Sequence, residues 1–116
     1  MDQNLRRTID LLRSSSRPSR VLDVTIAKAV GWRKQERGVA WITPSGTIVA
    51  KPPLYTFNLE HAYQLAQEIF PTHSIAISWK ENVAFAQIGD EGNQVSAPTP
   101  AIALCLAALS EYGNNN

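Results

Sequence analysis

Trp32, Arg33, Lys34, Arg37 and Trp41 follow one another closely, and Lys51 and Tyr55 come in the next connection. Aromatic planes stack on bases, and guanidinium and ammonium groups pair with phosphates. The mixture therefore suits a small nucleotide-type ligand or a nucleic-acid strand. The same residues fit a structural reading, with Trp32 and Trp41 as core anchors and Arg33, Lys34, Glu36 and Arg37 on a solvated loop.

Other reactive side chains give less. His61 and His73 stand at no metal-ligand spacing, and neither has a Cys or acidic cluster around it in the sequence, so no metal or cofactor is expected. Cys105, the single cysteine, sits in an apolar run that predicts a buried thiol with a raised pKa rather than a nucleophile. Asp90-Glu91-Gly92-Asn93 lacks the length and alternating spacing of a calcium loop and reads as a turn. With no glycine-rich phosphate loop, no G-x-S-x-G elbow and scattered carboxylates, no catalytic residue is assigned, and the reading leans away from an enzyme. Near the start, Arg6, Arg7, Arg13, Arg17 and Arg20 against Asp2 and Asp10 leave three positive charges in excess. They suit contact with nucleic acid or an anionic partner, or simply a solvated helix face.

The elements that must carry these residues are legible from periodicity. Leu5, Ile9 and Leu12 predict an amphipathic helix over 4–13, followed by a Ser-rich hinge, so that residues 1–19 form an N-terminal arm. Ser19 caps a second helix over 20–30, with Val21, Leu22, Ile26, Ala29 and Val30 as its stripe and Gly31 as its stop. Extended segments follow at Trp32 and at Val39–Ile42, and Thr43-Pro44-Ser45-Gly46 turns the chain into Thr47–Ala50. Pro52 and Pro53 exclude a central strand. Asn58 caps a helix over 59–70, with Leu59, Ala62, Tyr63, Ala66, Ile69 and Phe70 on one face.

Beyond Pro71, a two-residue hairpin pairs Trp79 with Ala84, Ile77 with Ala86 and Ile75 with Ile88, which makes one face wholly apolar. Ala76, Val83 and Phe85 suggest partial cover on the other face as well. A short segment, Gln94–Ala97, precedes the last helix, over 101–112, with Thr99 as cap, Pro100 in its first turn and Gly113 beyond its end. Its run from Ala101 to Leu109 is apolar almost all round, so it is either deeply buried or touches more than one partner surface, a homo-oligomer contact included. Residues 114–116 read as a frayed tail.

Length and composition bound the whole. The 116 residues, 44% hydrophobic and 18% charged, are enough for one packed domain, here residues 20–113. The net charge of +1 gives no field that would draw the whole molecule to nucleic acid or a membrane surface. No apolar stretch approaches 18 residues and the start lacks a signal-peptide pattern, so a reducing cytoplasm is expected.

The order of several local motifs resembles the phage ABA-sandwich domain, a family of small phage and prophage proteins. The resemblance covers roughly residues 20 to 112. It rests on Gly31-Trp32 after a helix, on Pro53-x-Tyr55-Thr56 leading into the helix around Ala62, and on Ala97-Pro98-Thr99-Pro100 leading into Ala103-Leu104-Cys105-x-Ala107-Ala108-Leu109. The resemblance implies a sheet held between helices and a phage setting; it brings no catalytic residues. The fold expected is α+β: an α-β-α sandwich with an antiparallel sheet of about four or five strands and helices on both faces. The function expected is that of a non-enzymatic accessory protein sequestering a small nucleotide-type immune signal at Trp32, Arg33, Lys34, Arg37, Trp41, Lys51 and Tyr55. A protein–protein module that blocks or adapts a host factor, and a weak nucleic-acid binder acting through the arginine-rich arm, are the alternatives.

Overall fold

In the computed structural model, which describes residues 2–114, Asp2 caps the first helix, α1 (Gln3–Ser14), by accepting the Asn4 N–H at 2.9 Å. Leu5, Thr8, Ile9 and Leu12 form its buried stripe. Thr8 is tolerated there because its hydroxyl donates to the Asn4 carbonyl four residues back at 2.7 Å. Ser19 caps α2 (Arg20–Ala29) as its residue type predicts, accepting from the Val21 and Leu22 N–H groups. The stripe of α2 differs from expectation. Val21 is 74% exposed, and Leu22, Asp23, Ile26 and Ala27 are the buried residues.

Three two-residue strands come next: β1 (Arg33–Lys34), β2 (Trp41–Ile42) and β3 (Ile48–Val49), an antiparallel sheet in chain order. Gly46, at φ +93°, supplies the left-handed conformation that the turn between β2 and β3 requires. Helix α3 (Leu59–Ile69) follows its predicted cap, Asn58, whose side chain accepts the His61 N–H at 3.2 Å. Leu65 is buried with Ala62, Ala66 and Phe70, whereas Tyr63, expected on that face, is 43% exposed.

The second sheet is β4 (Ile75–Lys80), β5 (Val83–Ile88) and β6 (Val95–Ala97), antiparallel in that order. The β4–β5 register is the one the alternation dictates: Ile75 opposite Ile88, Ile77 opposite Ala86 and Trp79 opposite Ala84. Ala84, Ala86 and Ile88 are buried on its inner face. The partial cover expected on the outer face is slight, since Ala76 and Ser78 are exposed and Val83 and Phe85 keep 38% and 37% of their surface.

The last helix, α4 (Pro100–Asn114), is the organising element. Thr99 caps it through the Ile102 N–H at 3.2 Å, and the helix runs on through Gly113 rather than stopping there. Every residue from Ala101 to Leu109 is buried, because the second sheet packs on one side of α4 and α1 and α3 pack on others, while α2 lies against α1. That arrangement accounts for a run that is apolar all round. It also leaves none of those nine residues as a surface for a second copy.

The fold is α+β, with two differences in detail. The strands divide into two three-stranded sheets because Pro52 and Pro53, which lack N–H groups, and then α3 intervene between β3 and β4. The helices stack behind α4 and leave the outer face of the second sheet open. Residues 3–14, expected as an arm, are part of the core through Leu5, Ile9 and Leu12. Of the predicted tail, Asn114 belongs to α4, and residues 115 and 116 lie outside the described residues.

Candidate functional site

Trp32 is positioned by the way α2 ends. Gly31, at φ +105°, sends its own N–H to the Lys28 carbonyl and the Trp32 N–H to the Ala27 carbonyl, at 3.2 and 3.0 Å. This is the doubly bonded helix stop that favours glycine in the left-handed region. Trp32 therefore leaves the helix in a fixed direction, half-buried and packed against the core.

A second constraint holds the loop facing it. Asp23 is fully buried, and its Oδ1 accepts both the N–H and the hydroxyl of Thr56 at 2.7 Å. Its Oδ2 accepts from Arg20 at 2.8 Å, and the Arg20 guanidinium also donates to the Pro52 and Pro53 carbonyls at 3.1 Å. Thr56 in turn accepts the Ser19 N–H at 2.9 Å. The start of α2 is thus laced to residues 52–56, and the buried carboxylate is fully engaged by donors. Arg20, grouped with the basic arm from sequence, is a structural residue here.

Between these supports lies a cleft of about 340 Å³. Trp32 and Lys51 face it together with His61 and Gln64 from α3, over a floor that includes Pro53 and Leu54. The Leu54 N–H, the first backbone donor after two prolines, bonds His61 Nδ1 at 2.8 Å. A ring that accepts at Nδ1 carries its proton at Nε2 when neutral, so the remaining nitrogen is a donor. The cleft offers an aromatic plane, an ammonium group, an imidazole and an amide around an apolar floor. That set can hold a flat ring and pair with an anionic group. On the other side, Trp32 borders a second hollow with Thr43, Ser45 and Glu68.

The seven residues singled out from the sequence separate. Trp32 and Lys51 come together. Arg33 and Lys34 lie exposed on β1 and Arg37 on the following loop, outside the cleft. Trp41 and Tyr55 are corrections: both are interior side chains and neither presents a face to a ligand. Trp41 is 7% exposed, with the Lys28 ammonium 6.0 Å from its ring centroid. Tyr55 is 2% exposed, and burial, then the charge of Glu68, pushes its hydroxyl pKa far up. His61 and Gln64 lie off the apolar face predicted for their helix, and the sequence singled out neither as a binding residue. The signal that could have found His61 is the lone donor of Leu54 after Pro52-Pro53, which must find a partner.

Cys105 is fully buried, and its thiol donates to the Tyr55 carbonyl at 3.5 Å; burial, then Asp23, raises its pKa well beyond the ordinary value. Among the described residues no three His, Cys, Asp or Glu side chains assemble as a metal-binding group, and no helix is long and apolar enough to cross a membrane. No protein-family model, curated protein or solved structure matches the chain.

Proposed function

We propose that the chain is a binding protein, and that the cleft of Trp32, Lys51, His61 and Gln64 takes a small nucleotide-type ligand. The observation that carries this reading is the convergence of an aromatic plane and a cation with two further polar groups on a largely apolar pocket, each wall fixed independently. A base stacks on Trp32, and Lys51 pairs with a phosphate. The volume suits one nucleotide rather than a strand. In the phage setting implied by the resemblance, the role is sequestration of such a signal, which requires affinity and no reacting group.

Isothermal titration of the full chain against linear and cyclic nucleotides tests this, followed by release and analysis of the ligand. Saturable binding with intact ligand recovered is expected. Lys51→Gln, at an exposed position, and Trp32→Leu, checked by thermal melting, are each expected to weaken it about tenfold, as loss of one stacking or charged contact does. Absence of saturable binding by every nucleotide, or binding unaffected by both substitutions, overturns the reading. Chemically altered ligand would instead make the protein an enzyme.

A further inference from the structure

We propose a second ligand site, for a small hydroxylated oxyanion such as a sugar phosphate or hydroxycarboxylate, in the cleft where α1, the end of α4 and the approach to β6 meet. This cleft is also about 340 Å³, and its lining is different in kind. Arg6, Asp10 and Arg13 enter it from α1, Ser110 and Asn114 from α4, and Asn93 from the approach to β6, over Ile9 and Val95.

Three features point to a ligand. The spacing i, i+4, i+7 puts Arg6, Asp10 and Arg13 on one helical face, with the two guanidinium groups rooted about 10 Å apart along the axis. That separation lets them grip opposite ends of one small molecule. Neither arginine is ion-paired, for the only ion pair among the described residues joins Arg20 to Asp23. Finally, Ser110 Oγ is the one buried side-chain polar atom among those residues with no hydrogen-bond partner. A helical serine ordinarily returns its proton to the carbonyl four residues back. Here the hydroxyl is closed off from water and left unpaired in a residue that lines the cleft, a cost that is removed when the side chain turns to an acceptor bound there.

The complement of groups selects the chemistry. Two guanidinium groups and two amides supply donors in excess, which call for carboxylate or phosphate oxygens. The lone carboxylate of Asp10 can only accept, so the ligand must present a hydroxyl or amine to it. The site owes nothing to Trp32 or Lys51 and stands or falls separately from the first cleft.

The test is titration of the full chain, by calorimetry and by amide chemical shifts, with ribose 5-phosphate, citrate and inorganic phosphate. Saturable binding of ribose 5-phosphate or citrate is expected, with shifts centred on residues 6–13 and 110–114. Arg6→Gln and Arg13→Gln should each weaken it at least tenfold, and Ser110→Ala should weaken it severalfold without lowering the melting temperature. Trp32→Leu should leave it unchanged, and inorganic phosphate, which lacks the group for Asp10, should bind more weakly. The proposal is overturned if neither organic probe saturates, if the double arginine variant binds as the parent does, or if Trp32→Leu abolishes binding. If ribose 5-phosphate and citrate bind but phosphate binds equally well, the role given to Asp10 is wrong and the proposal fails in that form.

Discussion

At the scale of single residues, Cys105 and Asp23 make the sharpest predictions. The Cys105 thiol ionises at an ordinary value of 9.0 once unfolded but stays protonated in the native interior. Above that pH the folded chain holds a proton that the unfolded chain has lost, so stability falls as pH rises, by up to about 1.4 kcal/mol per pH unit. Tyr55, whose ordinary value is 10.0, adds to the fall at higher pH. Melting temperature should therefore drop above pH 9, and Cys105→Ala should make the first part of that drop shallower. Native protein should also resist a thiol reagent that modifies it fully in denaturant. For Asp23, substitution by Ala leaves the buried Thr56 N–H without its acceptor, leaves the Thr56 hydroxyl only the Ser19 carbonyl, and loosens residues 52–56 from α2. A loss of about 2–4 kcal/mol is expected in a urea titration. Because the same loop floors the Trp32 cleft, any ligand affinity there should fall with it.

Among elements, those with local rules were legible in the sequence. Ser19, Asn58 and Thr99 cap helices because a side-chain oxygen beside orphan N–H groups is a local matter, and the β4–β5 register followed from alternation alone. What the sequence concealed depended on partners far along the chain. Asp23 occupies a stripe position because Thr56 and Arg20 satisfy it, and no periodicity rule foresees a buried carboxylate. Tyr63 and Leu65 were exchanged as core residues of α3 for a related reason, since which edge of an apolar stripe is covered depends on where α4 lies. Of the candidate site, Trp32 and Lys51 were visible and His61 was not, while Trp41 and Tyr55 drew attention for residue type and turned out to be interior. Turns provide a further check. A Cβ on Gly92 would collide with the Ile88 carbonyl, which is backbone and cannot step aside. Gly92→Ala is expected to cost about 1–3 kcal/mol and to disturb the β5–β6 ladder, visible as lost amide protection in β6.

For the molecule as a whole, α1 decides whether the N-terminal segment is an appendage or part of the fold. Its Leu5, Ile9 and Leu12 are at most 4% exposed, and burying each is worth roughly 2 kcal/mol. Removing residues 2–18 should therefore do more than delete charge: it uncovers one side of α4 and is expected to yield an aggregating or molten chain, seen as lost near-ultraviolet circular dichroism. An appendage could be removed with the melting temperature unchanged. The wall of the second cleft would disappear with α1, which is why the proposed anion site is better tested by single arginine substitutions than by truncation.

The position of α4 also sets a timetable for synthesis. Chains emerge from the N-terminus, and here the apolar partner shared by the second sheet, α1 and α3 is encoded by residues 101–109. Until those residues have been made, strands β4 and β5 can pair, yet their inner face of Ala84, Ala86 and Ile88 has nothing to close on. Helices α1 and α3 wait in the same state. The nascent chain should accordingly stay protease-sensitive through most of its translation and become resistant in one late step. A premature stop anywhere before α4 then gives no partly working fragment, only a chain with exposed apolar faces for chaperones and proteases to clear.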